Sequence, residues 1–243
     1  MTMRVYYLVG QPRSGSTFVG DWIARRLEAV NAGEVWQTML AAGRLTDPTF
    51  DARSERWGKP EFRAAKRAEI EADPFWAEVL ARPEGDPYAA LLSVGGKKSD
   101  VLVDTSKTDH AVERYRALGC DVTVVHTIRA FSTWAASVRR YRTQYDQTPR
   151  SRARLLLAYL RRNRQFRNYR RTGPYILVPQ EKLGRLEAVF DFPAAASGPE
   201  GAYLRCEMFG TPSFRTSFDA DRADVRVSPA DRLLYALVGC LTS

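Results

Sequence analysis

Apolar positions along the chain follow two rhythms. Residues 4–9 (RVYYLV) form an unbroken run rich in β-branched and aromatic side chains, closed by Gly-Gln-Pro. A run of that length bounded by turn residues predicts a buried strand. Over residues 17–30 the rhythm changes, with Phe18, Trp22, Ile23, Leu27 and Val30 at helical spacing. Two further runs, 100–104 (DVLVD) and 121–128 (DVTVVHTI), predict buried strands, and residues 108–118 between them predict a helix that ends at Gly119. Residues 175–178 predict a fourth strand. Strands that are apolar throughout and alternate with helices point to an α/β fold, a three-layer sandwich around a central parallel sheet.

Two regions read as additions within one domain spanning 1–243. Residues 38–97 are rich in charge, Trp and Pro, and predict helices over 60–72, 74–82 and 86–94, the last with Asp86 as N-cap and Pro87 in its first turn. They are expected to form a helical insertion or lid, a lobe over the site. Residues 149–172 predict one long basic helix with Leu156, Tyr159, Leu160, Phe166 and Tyr169 on its buried side. Near the end, Ser228 and Asp231 are spaced as a capping pair for a final helix.

Composition narrows the possible chemistry. The chain has 243 residues, 44% of them hydrophobic, enough to bury a sizeable core. The first predicted strand begins too early to leave room for a signal peptide, and no apolar run is long enough to span a bilayer. Three scattered cysteines (Cys120, Cys206 and Cys240) lack metal-ligand spacing, which fits a reducing cytoplasm without disulfides or zinc. A formal charge of +9 favours anionic ligands without choosing among nucleotides, sulfated glycans, nucleic acid and acidic lipid.

The first strand opens into "GQPRSGST". Gly10, Gly15 and Thr17 stand where the P-loop pattern G-x-x-x-x-G-K-[ST] places them, but Ser16 occupies the lysine position. A loop at the carboxyl end of a parallel strand, leading into a helix, presents backbone N–H groups and a positive dipole end to an anion. Gly15 allows close approach, Ser14, Ser16 and Thr17 supply hydroxyl groups, and Arg13 adds a forked cation. Without the lysine, such a loop suits a shorter anhydride better than a triphosphate.

"PRSGST" resembles the 5′-phosphosulfate loop of sulfotransferases that use 3′-phosphoadenosine 5′-phosphosulfate (PAPS). Those enzymes carry a second signature, an Arg ending a strand and a Ser eight residues later. "HTIRAFSTWAASVRRY" supplies Arg129 and Ser137 in that arrangement. The resemblance implies a P-loop-like fold that grips the nucleotide's 3′-phosphate with this pair. It gives a cofactor-binding set of Arg13, Ser14, Gly15, Ser16, Thr17, Arg129 and Ser137, with no metal required. The late segment "RCEMFGTPSFRTS" is loosely similar to a loop that closes over the 3′-phosphate, and adds Gly210 and Arg215. Thr211 and Cys206 depart from the usual Asn and His there.

"NAGEVW" places Glu34 after the first helix, at the distance from Arg13 found in tyrosylprotein sulfotransferases. "VDTSKTDH" places Lys107 just after a strand, where a lysine assists transfer in those enzymes. The implied catalytic set is Glu34, Arg13 and Lys107. A carboxylate base takes the acceptor's proton, while the cations meet charge on the leaving oxygen. His110, three residues beyond Lys107, is the alternative base, and His126 reads as a core residue.

The expected reaction moves the sulfuryl group of PAPS to a hydroxyl or amine of a small-molecule or glycan acceptor, leaving 3′-phosphoadenosine 5′-phosphate (PAP). An anionic acceptor could be held in part by the arginines of 149–172. The 38–97 insertion would then form an acceptor lobe, and Trp36, Trp57, Phe75 and Trp76 could stack a ring or form core. An unusual P-loop kinase is the alternative, disfavoured by Ser16 and the lack of a convincing Walker B aspartate. A nucleic-acid-binding module would draw on "RSRARLLLAYLRRNRQFRNYRR", whose apolar spacing is better explained by a buried stripe.

Overall fold

The structure is a computed structural model that describes residues 2–47, 59–82, 85–144, 147–148, 150–190, 192, 204–205 and 228–238. The strands among them are β1 (Arg4–Gly10), β2 (Val30–Gly33), β3 (Val101–Lys107), β4 (Asp121–Ile128), β5 (Tyr175–Pro179) and the short β6 (Leu204–Arg205). They form one sheet in the order β5-β4-β1-β3-β2-β6, and every pairing is parallel.

The unbroken apolar runs are explained by burial on both faces of this sheet. Alternate residues of β1 diverge: Val5, Tyr7 and Val9 enter one core, while Leu8 enters the other. The first core is closed by α2 (Val35–Ala41), α3 (Pro60–Ala72), α4 (Pro74–Leu80), α5 (Pro87–Gly95) and α6 (Val112–Ala117). The second packs α1 (Ser16–Arg26) and the 3-10 segment Gln180–Ala188 against Leu8, Val101, Val103, Val125 and Val178. A third cluster joins α7 (Phe131–Gln144), α8 (Arg152–Arg167) and α9 (Pro229–Leu237) around Phe131, Trp134, Tyr159 and Tyr235. The fold is therefore an α/β sandwich with helices on both faces of a parallel sheet.

Four expectations need correction. The first helix stops at Arg26, and Val30 belongs to β2, a four-residue strand buried throughout. Asn, Ala and Gly carry little strand propensity, so pairing with β3 and β6 decides this segment. Glu34 accordingly follows a strand, not the first helix. The strand predicted over 100–104 continues to Lys107, and the next helix begins only at Val112. The helix predicted over 149–172 is α8 followed by a 3-10 turn, Asn168–Arg171. Phe75 and Trp76 take the core role left open for them, buried in the same cluster as the sheet residues Tyr7 and Val9.

The capping forecasts hold. Asp86 accepts from backbone N–H groups of α5 and is followed by Pro87 in the first turn, and Asp73, which was not forecast, caps α4 in the same way. Ser228 Oγ accepts from the Asp231 N–H. Asp231 is not spent on its own helix, however. Its carboxylate accepts from the Ser132 N–H (3.0 Å) and hydroxyl (2.6 Å), capping α7 from outside. Those two bonds and the Ser228 hydroxyl hold its pKa below the ordinary carboxylate value, against the effect of burial.

Candidate active site

Arg13, Glu34, Lys107 and Arg129 all lie at the carboxyl ends of neighbouring strands, β1, β2, β3 and β4. In open parallel sheets that edge is where ligands bind.

The loop after β1 is shaped by backbone needs. Gly15 is the N-cap of α1 at φ 93°, a conformation that favours glycine, and it contributes no side chain to block the helix end. Arg13 itself adopts φ 74°, outside the usual range for a non-glycine residue. Gly10 is excluded from bearing a side chain for another reason. A Cβ there would stand 2.5 Å from Thr127 Oγ1 and 2.8 Å from Ser14 Oγ. Those two hydroxyls tie the loop to β4: Ser14 donates to Thr127 Oγ1 (2.7 Å), which donates to the Val9 carbonyl (3.4 Å). Trp134 Nε1 holds the Pro12 carbonyl at 3.0 Å, and Gln11 reaches the Ala158 carbonyl.

The β4 side meets this loop directly. Arg129 Nη1 donates to the Arg13 carbonyl (3.2 Å), and Arg13 Nε donates to Ser137 Oγ (3.5 Å). Arg129 Nε is held by Thr133, and its carbonyl accepts from the Tyr159 hydroxyl. The Arg13 guanidinium also lies 5.6 Å over the Tyr141 ring. Residues 116 apart in sequence thus share one cationic, hydroxyl-lined mouth. Ser16 Oγ is buried there without a hydrogen-bond partner, and Thr17 is nearly buried. An orphaned hydroxyl at an open helix N-terminus fits an anionic oxygen of a nucleotide.

On the other side of β1, Lys107 Nζ pairs with Glu34 Oε1, with about one-seventh of each side chain exposed. Lys107 ends β3 at φ 61°, so the backbone turns sharply to present it. Beneath the pair lies a network around Asp104, a strand-end residue placed by its sequence position to orient Lys107 or start the loop, whose partners were not anticipated from sequence. Asp104, fully buried, accepts from the Ser106 N–H (2.8 Å), the Ser106 hydroxyl and the Tyr115 hydroxyl (2.9 Å). Ser106 Oγ in turn accepts from the Trp36 N–H (2.9 Å), and the Ser106 carbonyl accepts from Gln37. One buried carboxyl therefore locks the start of α2, which follows Glu34, to the strand end that carries Lys107. Burial raises its pKa to about 7, against the opposing pull of the Ser106 and Tyr115 bonds.

His110, the alternative base, instead stacks on Trp36, with ring centroids 4.7 Å apart. His126 is a core residue, as expected. Its Nδ1 faces the Tyr175 hydroxyl (2.7 Å), its Nε2 faces Asn163 Oδ1 (3.0 Å), and burial lowers its pKa to about 4. Gly210 and Arg215 fall outside the described residues. Thr127, Trp134, Ser106 and Tyr115 were missed as supports. Thr127 and Trp134 flank Arg129 within five residues in sequence, the one available signal. Among the described residues no group of three or more His, Cys, Asp or Glu could hold a metal ion, and no helix is long and apolar enough to cross a membrane.

Fold and site together define a P-loop-like α/β protein in which an arginine- and hydroxyl-lined loop stands beside a lysine–carboxylate pair. No protein-family model matches the sequence, and no curated protein does. The chain is similar in fold to the sulfotransferase domain from the Synechococcus PCC 7002 olefin synthase, with a TM-score of 0.51 and 19% identity over 98% of this chain and 94% of that one. It is also similar to the sulfotransferase domain from the curacin biosynthetic pathway, with a TM-score of 0.52 and 14% identity over 100% and 99%.

Proposed function

We propose that this protein is a sulfotransferase that moves the sulfuryl group of PAPS to a hydroxyl of a small-molecule or glycan acceptor. The observation that carries the reading is the convergence at one sheet edge of the Arg13–Ser137–Arg129 contacts with the Lys107–Glu34 pair. In this reading the loop from Arg13 to Thr17 holds the 5′-phosphosulfate. Arg129 and Ser137 hold the 3′-phosphate.

The chemistry follows from the residue types. The acceptor oxygen forms a bond to sulfur as the sulfur–oxygen bond to the 5′-phosphate breaks. Glu34 takes the acceptor's proton. Arg13 and Lys107 stabilise the negative charge that gathers on the departing phosphate oxygen. For Lys107 to do so it must move away from Glu34, which frees the carboxylate to act as base.

The test is calorimetric binding of PAP with magnesium present or chelated. The expected result is equal affinity in both conditions, and a loss of roughly 10- to 100-fold in Arg129→Ala, as for a charged hydrogen-bonding group. A protein that ignores PAP and binds magnesium ATP would be an unusual kinase instead. For the nucleic-acid alternative, Tyr159 and Phe166 of the basic helix are buried and unavailable to stack on bases.

A further inference from the structure

Lys107 holds a backbone conformation that its residue type disfavours. A φ of 61° is costly for a residue with a Cβ, and persists only where the surroundings enforce it. The strand leading to it is irregular as well. Against β1, Asp104 pairs with Tyr7 and Lys107 with Val9, so β3 spends one residue more than β1 over the same stretch. A bulge of this kind re-aims the side chains that follow it.

Asp104 supplies the enforcement. Its Oδ1 accepts from the Ser106 N–H (2.8 Å), a bond from a side chain to the backbone two residues on, which fixes the bulge locally. The same oxygen accepts from the Ser106 hydroxyl, and Ser106 Oγ accepts from the Trp36 N–H. The Ser106 carbonyl, on the peptide that enters Lys107, accepts from Gln37 Nε2 (3.1 Å).

These bonds act where the ladder between β2 and β3 has ended. Its last pair is Gly33 with Asp104, so Glu34 and Lys107 both lie beyond it. β2 carries a similar device at its own irregularity, where Asn31 Oδ1 accepts from the Gly33 N–H (3.2 Å). In each strand the proposed catalytic residue stands three positions beyond an Asn or Asp that bonds the backbone ahead of it. Asn31 stops there, its Nδ2 without a partner among the described residues. Asp104 also crosses between strands, through Ser106 to the helix that follows Glu34. Its other oxygen accepts from Tyr115 on α6, which carries neither member of the pair.

We propose that Asp104 is a positioning residue, which aims Lys107 at Glu34 and keeps the two backbones in place when the pair separates. Its part in sulfuryl transfer rests on the function proposed above, whereas the aiming of Lys107 does not.

The test is NMR of protein labelled with 13C at the lysine Cε, the Lys107 signal being assigned by its loss in Lys107→Arg. Glu34→Gln sets the displacement of that signal for a broken pair. Asp104→Ala is expected to move it in the same direction by a comparable amount. Asp104→Asn, which keeps an oxygen for the Ser106 N–H, should return it most of the way. Ser106→Ala cuts the link to Trp36 but leaves the carboxyl, and should give a smaller displacement. Tyr115→Phe removes a bond to the same carboxyl on the side away from the pair, and should leave the signal where it is. A Lys107 signal unmoved in Asp104→Ala, or in Ser106→Ala should the first variant not fold, would overturn the proposal. So would an equal displacement in Tyr115→Phe, the mark of a general structural effect. PAP affinity should stay within about twofold of the parent in all of these except the Lys107 and Glu34 variants, as for sites that share no partners. A displaced signal in a protein that ignores PAP keeps the aiming role and sinks the sulfotransferase, and PAP binding with an unmoved signal does the converse.

Discussion

The two halves of the site are built by different means. The candidate anion cradle joins the β1 loop to an arginine 116 residues away, but each of the two segments takes its shape from local conformation: a strand end, a left-handed Gly15 and an open helix terminus in one, a strand end followed by a helix in the other. The Glu34–Lys107 half joins residues 73 apart in sequence, and depends on the buried Asp104 carboxyl, whose partners Tyr115 and Ser106 tie it to α6 and, through the Trp36 N–H, to the start of α2. The first half can be recognised one segment at a time. The second exists only once β2 and β3 are paired.

That contrast predicts separable failures. The largest effect should come from Glu34→Gln, which keeps the size of the side chain and removes the proposed base. Sulfuryl transfer should fall by about 10²- to 10⁴-fold, the range for general-base groups, while PAP affinity changes little. If PAP binding fell with the rate, the two halves would not be independent, and the division drawn above would be lost.

An intermediate effect should come from Asp104→Asn, read as stability against pH. Asp104 titrates at about 7 when folded, above its ordinary value of 3.8, so the native state keeps a proton that the unfolded chain releases. Stability from this group is therefore greatest below pH 3.8 and is lost as pH rises towards 7. His126 works in the opposite sense. Its folded pKa is about 4 against 6.5, so its burial costs stability as pH falls from 6.5 to 4. The two slopes oppose each other between about pH 4 and 6.5. Asp104→Asn should leave the histidine slope alone, and urea unfolding across pH 4.5–7.5 should show stability rising with pH to about 6.5 more steeply than in the parent. An unchanged profile would mean that Asp104 does not titrate in this range.

The smallest effect should come from Ser16→Ala. Removing one hydroxyl that is unpartnered in the ligand-free protein should weaken PAP by about 3- to 10-fold and leave thermal stability intact. A loss of stability without a change in affinity would assign Ser16 to the core instead of the cradle.

The same contrast explains what the sequence made legible. β1, its loop and α1 are visible because an apolar run, a glycine and a helical rhythm fall within 26 residues. Arg129 is visible because β4 is a run rich in β-branched residues that ends at Ile128, the residue before it. β2 is not visible, since Val30–Gly33 owes its strand conformation to its neighbours on the sheet. Glu34 was therefore located by likeness to other proteins and placed after the wrong element. Asp104 stood at a strand end, but nothing in its surroundings along the chain shows that Ser106, Tyr115 and the start of α2 would gather around it.

The cap that Asp231 places on α7 makes a distant segment a mechanical brace for the proposed phosphate grip. Ser137 rides on a helix whose first turn is fastened by a residue 94 positions beyond it, so shortening the chain before Asp231 would unfasten that helix without deleting any group that meets the ligand.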